Sequence, residues 1–234
     1  CGVGAVLSVP SPPICPGESQ NRFFRDMKEG YFELKKNKGL FALLWIGTAY
    51  MFFFMPISAL YPLMSMGYFR GTPTHASIAE IAFAGGMLAG GILLCVWGGF
   101  KNRIFSIGLS VLVMGVSIAI SGLLPTNAFF IFVICCTVMG LTSPFYGVQN
   151  ALFQEQLPPE YLGRVFSLLG SVMSFAMPLG LLCSGIFAEL IGVEKWFLLC
   201  GIGIIAVAVL VFVLPVLRNV DCQSQNSFAR KSDD

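Results

Sequence analysis

Residues 104–154 read IFSIGLSVLVMGVSIAISGLLPTNAFFIFVICCTVMGLTSPFYGVQNALFQ, 51 positions without one charged side chain. About 20 apolar residues cross the hydrocarbon core of a bilayer, so this run is two passes, and Pro125-Thr126-Asn127 is the break between them. Working outward, residues 40–69, 81–100, 165–188 and 196–217 also lack charge. Cutting the chain at its charges therefore predicts six transmembrane helices, approximately 41–66, 78–100, 104–124, 128–150, 165–191 and 196–217. The strands of a transmembrane barrel would be about half as long and would alternate in polarity. The fold class expected is an all-α membrane protein.

Bulk composition agrees. Charged residues are 11% of the chain, less than half the roughly 25% of a soluble domain, and the mean hydropathy is +0.80. Of the eight cysteines, Cys95, Cys135, Cys136, Cys183 and Cys200 fall inside predicted spans. No pair has the C-x2-C spacing of a zinc site and His75 is the one histidine, so small buried apolar residues is the better account. Neither a metal nor a cofactor is expected, and nothing calls for a nucleic acid. An intramembrane enzyme would need a carboxylate pair, a His-bearing metal motif or an activated serine at mid-membrane; H-E-x-x-H, a second histidine and a midplane Asp are all absent from the sequence.

Charge asymmetry orients the spans. Placing residues 15–39 on the cytoplasmic side puts 101–103, 151–164 and 218–234 there too. Those segments carry Arg22, Arg25, Lys28, Lys35, Lys36, Lys38, Lys101, Arg103, Arg164, Arg218, Arg230 and Lys231, whereas the outer loops carry only Arg70 and Lys195. Twelve against two is a strong positive-inside bias. Both ends of the six-helix unit are expected in the cytoplasm, in a plasma membrane, with a bacterial inner membrane the natural setting. Residues 1–14 read as the last turns of a preceding transmembrane helix, so the chain reads as a fragment. Within 15–39, Phe24, Met27, Tyr31 and Leu34 recur at helical spacing, which fits a short amphipathic helix on the inner surface or a solvated linker. Residues 40–217 form the six-helix domain, and 218–234 a polar tail.

The polar residues inside the spans are the candidates for function. In the first helix Tyr50, Ser58, Tyr61 and Ser65 share one face, beside Pro56 and Pro62; they line a cavity or make interhelical hydrogen bonds. In the fourth, Thr142, Ser143, Tyr146, Gln149 and Asn150 crowd the inner half, and polar groups that deep need partners or water. Ser171, Ser174 and Pro178 mark the fifth. Gly85-Gly86 and Gly90-Gly91 make a doubled G-x-x-x-G in the second helix, a packing signal. Gly108, Gly115 and Gly122 lie one heptad apart in the third, which is otherwise so apolar that a peripheral, lipid-facing position is expected, as for the sixth. Two sets of three helices, the third of each plain, is the pattern of inverted repeats in a transporter half.

Two polar strings interrupt the apolar blocks. Residues 154–165 read Q-E-Q-L-P-P-E-Y-L-G-R-V; its double proline forbids a continuous helix, so 151–164 is expected to be a loop. Residues 97–103 read W-G-G-F-K-N-R, a short basic turn. The first string resembles the loop between the tenth and eleventh helices of major facilitator superfamily exporters, Q-x-x-x-P-x-x-x-x-G-R-V, in the drug-efflux branch that includes the macrolide-efflux proteins. The second resembles a reduced form of the superfamily's G-x-x-x-D-R-x-G-R loop, without its Asp.

The resemblance covers about residues 22–218 and implies the carboxy-terminal half of a twelve-helix transporter. Its implied partners are the bilayer, an amino-terminal six-helix half, a lipophilic small molecule such as a macrolide, and protons exchanged for it. The loop residues it marks are Gln154, Glu155, Pro158, Glu160, Gly163 and Arg164, with Lys101 and Arg103 on the basic turn. Arg164 is expected to pair with Glu155 or Glu160, or simply to anchor the inner face. Proton coupling needs a carboxylate within the membrane, and Glu80 and Glu189 are the two candidates. Glu80, third in the helix predicted over 78–100, and Glu189 both read as solvated helix ends, so the main coupling carboxylate is expected in the other half. The alternatives are a six-helix membrane scaffold without transport, or an exporter of another substrate such as a siderophore.

Overall fold

A computed structural model describes residues 31–32, 34–36, 38–97, 102–157 and 159–214. The segments 1–14 and 218–234 lie outside the described residues, as do most of the amphipathic segment within 15–39 and two marked loop positions, Lys101 and Pro158. The described chain is helical throughout: α1 Lys38–Leu63, continued by a π-helical turn Met64–Tyr68; α2 Pro73–Trp97; α3 Arg103–Leu123; α4 Phe129–Tyr146; α5 Val148–Gln156; α6 Pro159–Ile191; and α7 Val193–Val213. With α4 and α5 taken together, six helical segments are long and apolar enough to cross a membrane, as the charge-free runs predict.

Local sequence explains the ends. Pro56 and Pro62 lie inside α1, each removing a backbone donor, and the helix finishes in a wider turn in which Phe69 N–H donates to Met64 O at 3.2 Å. Pro73 opens α2 at the first helical position, where its missing N–H is not needed. The Asn102 side chain caps α3 by accepting from Phe105 N–H at 2.8 Å. Gly192, at φ 94°, makes the tight corner between α6 and α7 that a side chain would strain.

The expected loop over 151–164 is largely helix. α5 runs to Gln156, only Leu157 is extended beside Pro158 (φ −98°, ψ 139°), and α6 begins at Pro159. The residue before a proline leaves the helical region, while a proline at a helix start costs no hydrogen bond. The pair therefore breaks the chain over a single step. Within the fourth span Gly147, still in the right-handed helical region (φ −58°, ψ −20°), separates α4 from α5.

Small residues set the tightest contacts. A Cβ on Gly86 would lie 2.1 Å from Thr137 O, one on Gly90 2.1 Å from Leu141 O, and one on Gly140 2.0 Å from Phe83 O, so α2 and α4 approach backbone to backbone. α3 meets α7 in the same way: a Cβ on Gly115 would sit 2.9 Å from Ile205 N, one on Gly122 2.5 Å from Leu198 N, and one on Gly201 2.5 Å from Ala119 N. The glycine heptad of α3 thus faces α7, not lipid. Of the most apolar window of α3, 67% is buried, against 17% for α2 and 24% for α6. Within this unit the third span is the most enclosed, its stripe of small residues giving it a close helix neighbour.

Candidate functional site

Four helices converge on Tyr61. Its ring centroid lies 6.2 Å from that of Phe83 on α2, 6.0 Å from Phe132 on α4 and 6.0 Å from Phe197 on α7, and its hydroxyl contacts Met139 Sδ at 3.2 Å. Beside this cluster a cavity of about 340 Å³ opens between α1, α2 and α4, lined by Phe54, Ser58, Tyr61, Ala79, Glu80, Phe83, Met87 and Ser143. Ser58 donates to Met55 O at 3.0 Å. Tyr50, buried and stacked on Phe54 with centroids 5.4 Å apart, braces the wall from behind.

Of the uncharged candidates from the sequence, Ser58, Tyr61 and Ser143 share this cavity, and the others are not in its lining. Thr142 is buried against α3: its hydroxyl donates to Met139 O at 3.0 Å and reaches Met114 Sδ at 3.4 Å. Ser65 is buried, and its hydroxyl has no hydrogen-bond partner among the described residues. Gln149 is a structural tie, its Nε2 donating to Leu43 O of α1 at 3.1 Å. Asn150 and Ser174 are exposed, the latter on α6, and the Tyr146 side chain lies outside what is described. Periodicity correctly groups residues on a helix face, but it does not say which neighbour that face meets.

Glu80 is the main repositioning. α2 starts at Pro73, five residues before the predicted start, so Glu80 is its eighth residue and lies about 10 Å along the helix axis from the first. It lies further from the helix start than expected from the sequence, and it lines the cavity while remaining exposed. The signal was present, since Glu80, Phe83 and Met87 have the same 3-then-4 spacing that groups the face of α1. Glu189 is exposed near the end of α6, outside the cavity.

At the opposite ends of these helices, Glu155 of α5 forms an ion pair with Arg103, the first residue of α3. Arg164 is expected from the sequence to pair with Glu155 or Glu160 or to anchor the inner face; the partner that Glu155 shows is Arg103. Because 151–156 is helical and α5 packs on α3, Glu155 is carried toward the basic turn before the chain breaks at Leu157. The Arg164 guanidinium stands 5.8 Å from the ring centroid of Tyr161. Gln154, Glu160 and Gly163 are exposed. A second groove of about 350 Å³, between α1 and α6, is lined by Trp45, Phe52, Phe53, Val172, Phe175 and Leu179 with Thr48 and Ala49. No His, Cys, Asp and Glu cluster suited to a metal occurs among the described residues.

Comparison with known proteins gives a consistent set of relatives. Over 200 residues the chain is 58% identical to Macrolide efflux protein A of Streptococcus pyogenes, covering 85% of this chain and 49% of that protein. It is 62% identical over 160 residues to Macrolide efflux protein A of Enterococcus faecalis, covering 68% and 50% respectively. It is 29% identical over 175 residues to Multidrug efflux pump Tap of Mycolicibacterium fortuitum, covering 74% and 42%. The chain thus spans about half the length of the curated relatives it matches. No solved structure gives a significant match. The sequence pattern of the Major Facilitator Superfamily matches residues 43–230. The chain, a multi-pass membrane protein with six apolar spans among its described residues, belongs to the major facilitator superfamily.

Proposed function

We propose that this chain forms the carboxy-terminal half of an exporter of lipophilic drugs such as macrolides, acting with an amino-terminal six-helix half. The observation that carries the proposal is the cavity between α1, α2 and α4, three aromatic rings and a thioether with a few polar groups, in a chain 58% identical to a macrolide efflux protein. A concave, mainly apolar site with few polar groups suits a lipophilic ligand. Transport requires no bond to be made or broken. The two halves rock about the cavity, opening it to one side of the membrane and then the other. The ion pair of Arg103 with Glu155 ties the α3 and α5 ends together on the side proposed to face the cytoplasm. Proton exchange drives the cycle, and the coupling carboxylate belongs to the other half.

The test is a chimera carrying the amino-terminal half of Macrolide efflux protein A of Streptococcus pyogenes ahead of this chain. Cells making the membrane-inserted chimera should accumulate less of a labelled macrolide than empty cells, and a protonophore should abolish the difference. Cells making the chain alone should match empty cells. A chimera that inserts but leaves accumulation unchanged overturns the proposal, and efflux by the chain alone overturns the need for a second half.

A further inference from the structure

We infer that the groove between α1 and α6 is a lipid site, which seats an acyl chain of an anionic phospholipid whose phosphate is met by Lys38 and Arg164. The inference goes beyond the proposed transport role and is independent of what enters the cavity between α1, α2 and α4.

The two helices touch at one level, where a Cβ on Gly180 would lie 2.9 Å from Phe52 O and 3.1 Å from Pro56 Cγ. From that level the groove runs back toward the starts of both helices, between Trp45, Thr48 and Phe52 on α1 and Val172, Phe175 and Leu179 on α6. Trp45 is 57% exposed and Phe175 74%, so the wall is open along its length. Thr48, the one polar side chain in the lining, donates to Leu44 O of its own helix at 2.8 Å. The groove therefore offers a guest no polar partner, which suits a hydrocarbon chain and penalises polar substituents.

Each helix carries a basic residue toward the open end. Lys38, the first residue of α1, lies one heptad before Trp45 and two before Phe52, on the same face. Arg164 precedes Phe175 by 11 positions, about three turns, on one face of α6. At 1.5 Å per residue, Trp45 and Phe52 lie about 10 Å and 21 Å along the axis from Lys38. One leaflet of hydrocarbon is about 15 Å deep, so a chain hanging from a headgroup at Lys38 passes along this wall. Lys35 and Lys36 are exposed just before Lys38. Tyr31 and Phe41 extend the aromatic surface from Trp45, with ring centroids 5.6 Å apart for Tyr31 and Phe41 and 6.3 Å for Phe41 and Trp45. Aromatic rings beside basic side chains are what the headgroup region favours. Of the acids at this end, Glu155 is paired with Arg103 and Glu160 is exposed in the first turn of α6. A neutral lipid would fill the groove and leave the basic groups to water. An anionic lipid fills the groove and meets the charge, as basic pockets between transmembrane helices do.

The experiment uses the chain with Trp97→Phe and Trp196→Phe, which leaves Trp45 as its one tryptophan, in two lipid nanodiscs. Both contain phosphatidylglycerol and phosphatidylcholine in the same proportions and the same amount of lipid with dibrominated acyl chains, which quench tryptophan on contact. In one the bromine is carried by phosphatidylglycerol, in the other by phosphatidylcholine. Occupancy beside Trp45, read from the quenching, should favour phosphatidylglycerol by roughly fivefold, the scale of one basic side chain at an anionic surface. Changing Lys38→Gln and Arg164→Gln together should remove most of that preference. Lys195→Gln, exposed at the opposite end of the spans, should leave it in place. Ala49→Phe, which fills the groove from within its lining, should remove it as well. Equal quenching in the two nanodiscs overturns the anionic-lipid reading. A preference that survives the change at Lys38 and Arg164 overturns their role, and one that survives Ala49→Phe overturns the seating of a chain in the groove. The same measurement on the chimera, made with Trp45 as its only tryptophan, tests the other occupant. Loss of quenching by both lipids there gives the groove to the amino-terminal half and overturns a lipid as its occupant, whether or not the chimera exports a drug.

Discussion

The α2–α4 contact makes a quantitative prediction with built-in controls. Replacing Gly140 by Ala would place a methyl group 2.0 Å from Phe83 O, where ordinary contact begins at 3.4 Å. The obstacle is backbone, which cannot rotate aside, so the helices must part by roughly 1.4 Å or bend. Overpacking of this kind costs about 1–3 kcal/mol, and the lost contact between the two backbones adds to it. Gly85 and Gly91 lie in the same helix as Gly86 and Gly90, but a Cβ added at either would meet nothing within 4 Å. Ala at either should be neutral within about 0.5 kcal/mol, or slightly stabilising through helix propensity. The assay is reversible unfolding in mixed micelles, followed by tryptophan fluorescence. Gly140→Ala should shift the folding equilibrium by roughly 5- to 150-fold, since about 1.4 kcal/mol is a factor of ten; Gly85→Ala should hardly move it. Equal stability of Gly140→Ala and Gly85→Ala would refute the close approach and, with it, the geometry of the cavity that these two helices frame.

Two further outcomes follow from the contacts. A double-mutant cycle on Arg103 and Glu155, both about 28–29% exposed, should return a coupling of about 0.2–1 kcal/mol that shrinks as salt is raised; a coupling between Glu155 and Arg164 larger than this would reverse the pairing found here. Tyr61→Ala, which empties the meeting point of α1, α2, α4 and α7, should cost about 3–5 kcal/mol in the same unfolding assay. Tyr61→Phe, which keeps the ring and loses the hydroxyl's contacts to Met139 Sδ and the Cys136 thiol, should cost under about 1.5 kcal/mol. A difference between Tyr61→Ala and Tyr61→Phe smaller than about 1 kcal/mol would show that the aromatic cluster does not hold the helices together.

Span number and packing signals were legible in the amino-acid sequence because lipid imposes them residue by residue. A charge is penalised in hydrocarbon whatever surrounds it, so uncharged runs such as 104–154 delimit helices without knowledge of their neighbours. Glycines four apart in α2 announce a close approach for the same reason, since only a missing side chain permits it. The partner of each helix face was decided by the tertiary structure alone. Thr142 and Ser143 are adjacent, yet one turns to α3 and the other to the cavity. Gln149, marked as a cavity residue, instead ties α5 to α1. Glu155 finds Arg103, 52 positions away, because it sits on a helix packed against α3 and not in a long loop. Glu80 lies two turns inside α2 because the helix begins at Pro73, a start that a proline permits but that no charge marks. The 3.6-residue period groups side chains on one helix; the rotation of that helix against its neighbours is set by where backbones can approach, and that is a property of pairs of helices.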